Sequence, residues 1–90
     1  MDWLVYMILC NDHSLYTGIT NDLVRRFSQH GTAKGAKYFR GRQPIRIVYV
    51  EAGHNRSTAS KREIAIKKLK ASEKLSLIGS EANHVNQYPL

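Results

Sequence analysis

A chain of 90 residues, 42% hydrophobic and 23% charged, has the composition of one small globular domain; this argues against wholesale disorder and leaves too little length for two cores. Its formal net charge of +7 is unevenly spread, because all 14 Lys and Arg lie between Arg25 and Lys74, a segment whose acids are Glu51, Glu63 and Glu73. Such clustering points to a polyanionic partner, with nucleic acid ahead of an acidic membrane surface.

The longest apolar run, Trp3 to Cys10, is far short of the roughly 20 residues that span a bilayer, and the start MDWL is acidic where a secretory leader would be basic. The single cysteine, Cys10, excludes an internal disulfide and fits a reducing compartment. The expectation is a cytoplasmic protein with no membrane and no disulfide-linked partner, a monomer or weak homodimer.

Residues 3–10 and 15–19 are rich in aliphatic and aromatic side chains and flank NDHS, which reads as a β-hairpin. Loop length sets the register. A bulged loop at Asn11, Asp12 and His13 puts Cys10 opposite Ser14, Ile8 opposite Tyr16 and Tyr6 opposite Gly18, so both tyrosines share a face; a two-residue loop separates them. In the bulged form His13 takes the left-handed position.

Thr20 or Asn21 is expected to cap a helix over residues 22–30, with Leu23, Val24 and Phe27 inward and Gly31 ending it. Its other stripe carries Asp22, Arg26 and His30 at four-residue spacing. The stretch GTAKGAKYFRGRQP joins three glycines to four basic residues and reads as a cationic loop. IRIVYVE, residues 45–51, is a third strand, and AGHNR a turn. A second helix is expected over residues 57–70, burying Ala59, Ile66 and Leu69, and a third over residues 72–77. The segment from Gly79 to Leu90 has no periodicity and is expected to fray. Together these elements describe an α+β domain, a small three-stranded antiparallel sheet packed with helices, over residues 1–78, with a flexible tail over residues 79–90.

Three features converge: a hairpin with Tyr6 and Tyr16, a helix with Arg26 and His30 one turn apart, and a later helix bearing Glu63. With LVY at residues 4–6 and YTG at residues 16–18 standing where the two signature triplets would be, the chain resembles the GIY-YIG nuclease superfamily. SLYTGIT, DLVRRFSQH, KGAKYFRGRQPIRIVYVE and KREIAIKKL look like the blocks of its small stand-alone bacterial members, and together cover most of residues 3–78. The resemblance implies a phosphodiester hydrolase with Tyr6, Tyr16, Arg26, His30 and Glu63 in the active site. Leu4 stands where glycine is usual in the first triplet. Many members also place an asparagine about a dozen residues after the glutamate, where this chain has Lys74 and Leu75.

Those residue types suit the chemistry. Glu63 can hold one Mg²⁺ or Mn²⁺, ions that take carboxylate and water oxygens. Arg26 can fork onto a phosphate with a charge that is not titrated away. Tyr16 can take a proton from water if a nearby cation lowers its pKa. Tyr6 and His30 can hold that network, and His30 can relay the proton. Gly18 would let a phosphate or backbone approach closely, and Lys34, Lys37, Arg40 and Arg42 would track the nucleic acid, DNA first.

Each residue also has a plainer reading. The tyrosines can be strand aromatics, Asp22, Arg26 and His30 a helix-surface row, and Glu63 the partner of Ser60 in a capping box. Cys10 and His13 make half a zinc site without a second pair, and GTAKGAK lacks the spacing of a phosphate-binding loop. The functional alternative to a nuclease with little sequence preference is a nucleic-acid-binding module of the same fold with weak or no catalysis.

Overall fold

The computed structural model describes residues 2–30 and 41–88. Strands β1 (Trp3–Cys10), β2 (Leu15–Thr20) and β3 (Pro44–His54) form one antiparallel sheet in the order β2-β1-β3, and helices α1 (Leu23–His30), α2 (Arg56–Lys67) and α3 (Ala71–Ile78) accompany it. This is the α+β architecture that the hydrophobic pattern leads one to expect.

β1 is the central strand, covered on both faces, which is why it is apolar at nearly every position. Leu4, Tyr6, Ile8 and Cys10 enter one core with Leu23 and Val50, closed by Phe27, Val85 and Tyr88. Val5 and Met7 enter the other with Tyr49, Ala59 and Ile66, closed by Leu77 and Ile78. The first core is thus the α1 side of the sheet and the second the side of α2 and α3.

The hairpin has the bulged loop. Cys10 N–H donates to the Ser14 carbonyl at 3.0 Å, His13 N–H donates to the Cys10 carbonyl at 3.0 Å, and His13 has φ 66°. An Asp12 carboxylate oxygen accepts the Ser14 N–H at 3.1 Å and so supports the turn. Tyr6 lies opposite Gly18 and Ile8 opposite Tyr16, which puts the two tyrosines on the α1 side.

α1 differs from expectation at its start. Asp22 caps it, its side chain accepting the Arg25 N–H at 3.2 Å, while Thr20 Oγ1 accepts the Asp22 N–H at 3.0 Å and turns the chain into the helix. The inward stripe is Leu23, Phe27 and His30, and Val24, expected inward, is 60% exposed.

β3 runs past its expected end: Trp3 pairs with His54, so residues read as a turn extend the sheet, with Gly53 at φ 86°. α2 then starts from Asn55, whose side chain accepts the Thr58 N–H at 2.9 Å while Thr58 Oγ1 accepts the Asn55 N–H at 3.1 Å. The capping box belongs to Asn55 and Thr58, which leaves Glu63 in mid-helix and removes its pairing with Ser60.

The segment after α3, expected to fray, is tied to β3 as far as Tyr88. Asn83 donates to the carbonyls of Val48 and Ile78 at 2.9 and 2.8 Å and accepts the N–H groups of Val50 and Val85 at 3.1 and 3.0 Å. His84 N–H donates to the Val50 carbonyl at 2.7 Å, and His84 Nδ1 accepts the Ala52 N–H at 3.3 Å. Two residues thereby satisfy the outer backbone groups of an edge strand, a pairing that involves side-chain amide and imidazole groups and so leaves no periodic trace in the sequence.

Candidate active site

The sheet register and α1 together place four expected site residues in one cluster. Tyr6 Oη lies 2.8 Å from His30 Nε2, and both residues are buried. The ring centroids of Tyr6 and Tyr16 are 6.2 Å apart, and Tyr16 meets His30 edge-on at 5.1 Å. Arg26, one turn before His30, directs its guanidinium to both phenol oxygens and is steadied by Nη1 donating to Gln29 Oε1 at 3.2 Å.

The proton positions follow from donor and acceptor capacity. A guanidinium only donates, so the Tyr6 oxygen accepts from Arg26 and its own O–H must go to His30 Nε2. His30 is therefore neutral with its proton on Nδ1. Burial, then the charge of Arg26, lowers the His30 pKa to about 4, in keeping with that state. Burial, then the charge of Tyr16, pushes the Tyr6 pKa well above the ordinary phenol range. Burial works against the Arg26 charge, but hydrogen bonding to Tyr6 and the fields of both phenols outweigh it and raise its pKa.

Gly18 has a different use from the one its sequence position suggests. A Cβ there would lie 2.7 Å from Tyr6 Oη, 2.9 Å from Tyr6 Cζ and 3.0 Å from Tyr16 Cε2. The missing side chain makes room for the two phenols themselves, so the space over Gly18 is taken by a protein ring rather than left to a phosphate.

Glu63 stands on α2, within electrostatic range of Tyr6. Its negative charge contributes to raising the Tyr6 pKa, and its side chain is 21% exposed. Lys67, one turn on, places Nζ 3.2 Å from Glu63 Oε2. The helix that carries Glu63 is pinned to the sheet by the neighbouring residue: Arg62 Nε donates to both carboxylate oxygens of Glu51 at 3.1 and 3.2 Å, and Tyr49 and His54 hydrogen-bond to the same carboxylate. Burial opposes the Glu51 charge, but these donors prevail and hold its pKa below the usual range. Sequence reasoning assigned no part to Arg62, Glu51, Gln29 or Lys67. The four-residue spacing of Glu63 and Lys67 is legible in the sequence, whereas the Glu51–Arg62 contact is long-range.

Arg42 lies away from this cluster, its Nε 2.6 Å from the Asp12 carboxylate, where it joins the hairpin tip to the start of β3. Lys34, Lys37 and Arg40 fall outside the described residues. Cys10 is buried, and among the described residues no three His, Cys, Asp or Glu side chains gather as a metal-binding group. No helix among them is long and apolar enough to cross a membrane.

Known proteins resemble this chain in sequence and fold. A UPF0213 protein of Desulfotalea psychrophila is 49% identical over 77 residues, 84% of this chain and 70% of its own length. A UPF0213 protein of Clostridium perfringens is 46% identical over 84 residues, 93% of this chain and 90% of its own. The solution NMR structure of a UPF0213 protein from Bacillus halodurans superposes with a TM-score of 0.58 at 37% identity, over 100% of this chain and 97% of that one. The sequence profile of the GIY-YIG catalytic domain matches residues 2–76, a span that takes in Tyr6, Tyr16, Arg26, His30 and Glu63, and the chain belongs to that family.

Proposed function

We propose that this protein is a divalent-metal-dependent endonuclease that hydrolyses phosphodiester bonds in DNA with little sequence preference. The observation that carries the reading is the hydrogen-bonded cluster of Tyr6, His30, Arg26 and Tyr16, with the Glu63 carboxylate close enough to act on its charge. Of the two phenols, Tyr6 is held protonated by burial and committed to His30, which leaves Tyr16, half-exposed beside the same guanidinium, to take the proton of the attacking water. Arg26 then serves twice: it holds both phenol oxygens in place and neutralises the phosphoryl oxygens as negative charge develops on them. His30 keeps the Tyr6 hydroxyl and, through it, the guanidinium in place.

The donor set suits a single hard divalent cation. Glu63 is a carboxylate that already accommodates a cationic group, the Lys67 ammonium, and Mg²⁺ is commonly held by one or two carboxylates with water and substrate phosphate completing its shell. When bound there, Mg²⁺ or Mn²⁺ would supply charge stabilisation at the phosphoryl group.

A binding module with weak catalysis is the second reading, favoured by one observation. Lys74 and Leu75 occupy the region where many relatives carry an asparagine, and Asn83 is spent on the backbone of β3. The two readings separate on labelled duplex, single-stranded and branched DNA and RNA, incubated with Mg²⁺, Mn²⁺ or EDTA. The nuclease yields new ends with metal and none with EDTA, and Glu63→Gln abolishes them while melting within a few degrees of the unaltered chain. Salt-sensitive binding without new ends supports the module. Cleavage by Glu63→Gln at the unaltered rate refutes the assignment of Glu63.

A further inference from the structure

We infer that Lys67 occupies the cation position of the site in the metal-free protein, so that its ammonium and a divalent ion compete for the Glu63 carboxylate. The inference rests on the reading of Glu63 as the metal ligand. Its basis is an asymmetry between the two partners. The Glu63 side chain is 21% exposed and stands on a helix anchored at Ala59, Ile66 and the Arg62–Glu51 pair, so the anion is fixed. The Lys67 side chain is 52% exposed on a flexible stem and contributes only its ammonium, so the cation is mobile.

A fixed anion with a mobile counterion is an exchangeable site. A half-buried carboxylate without a counter-charge is unfavourable, and Lys67 removes that cost until a harder cation arrives. Exposed pairs at this helical spacing are weak, so a divalent ion can displace the ammonium, at the expense of a poorer apparent affinity. The released ammonium would then be available to a phosphate.

The test is Mn²⁺ binding to the full chain without nucleic acid, followed by the electron paramagnetic resonance of free Mn²⁺, for the unaltered protein, Lys67→Met, Lys67→Gln, Glu63→Gln and the double variant Glu63→Gln/Lys67→Met. Either Lys67 variant is expected to bind roughly two- to fivefold more tightly, from loss of the competing charge, and both variants carrying Glu63→Gln are expected to lose the site. Unchanged or weaker binding by both Lys67 variants, with the dependence on Glu63 intact, overturns the competition while leaving Glu63 as the ligand. Unaltered Mn²⁺ binding by Glu63→Gln overturns the ligand assignment itself and the inference with it.

Discussion

Replacing Gly18 with alanine separates a glycine kept for the protein's own packing from one kept for a phosphate. The added Cβ would stand 2.7 Å from Tyr6 Oη and 2.9 Å from Cζ, well inside contact distance, and Tyr6 is 1% exposed and hydrogen-bonded to His30. Overpacking of this kind costs roughly 2 kcal/mol, and the better strand conformer of alanine returns about 0.5 kcal/mol. The net loss of about 1.5 kcal/mol corresponds to a fall in melting temperature of about 6 to 12 °C for a domain of this size. Moving the ring aside also breaks the bond from Tyr6 to His30, so cleavage should fall in the folded variant. Thermal and urea unfolding followed by circular dichroism give the stability, and Tyr6→Phe in the Gly18→Ala background should recover part of it by removing the closest contact. A Gly18→Ala protein that melts at or above the unaltered temperature but binds DNA more weakly would refute the packing argument and return Gly18 to the phosphate.

Arg26→Lys keeps a positive charge but loses the fork that reaches both phenols, so turnover should fall about 100-fold in single-turnover cleavage, with a much smaller change in DNA affinity and a nearly unchanged melt. The His30 pKa is lowered from its ordinary 6.5 to about 4, so between those values the unfolded chain takes up more protons than the folded one. The resulting stability is complete above pH 6.5 and is lost as pH falls towards 4, by up to about 3 kcal/mol. Subtracting the urea stability profile of His30→Gln from that of the unaltered protein isolates this loss, and a flat difference would count against a buried neutral imidazole. Asn83→Ala strips four hydrogen bonds between the C-terminal segment, the end of α3 and β3, and should cost roughly 2 kcal/mol. It also uncovers a strand edge, so gel filtration should show association rising with concentration; an unchanged melt and elution would show that the segment does not guard β3. Affinity for DNA should fall steeply with salt, and a logarithmic slope near zero would exclude nucleic acid as the partner of this basic chain.

Local signals in the sequence were enough for the hairpin and the order of elements, while the joining of Tyr6, Tyr16, Arg26 and His30 was legible through the family resemblance. Alternation and loop length fix which side chains share a sheet face, and four-residue spacing fixes which share a helix face. His13 at a left-handed position and Tyr6 opposite Gly18 follow from the bulged of the two loops the sequence allowed. Element ends were less legible. The start of α1 and the true capping box of α2 depended on which of several neighbouring Asx and hydroxyl side chains won the backbone N–H groups, a competition decided by fractions of a kcal/mol to about 2 kcal/mol. The use of Gly18, the tautomer of His30, the anchoring of α2 by Glu51 and Arg62, and the docking of Asn83 on β3 belong to the tertiary structure alone. Each joins groups distant in the chain through side chains whose reach and direction have no period, so nothing in the spacing of residues along the chain announces them until the sheet has brought the partners together.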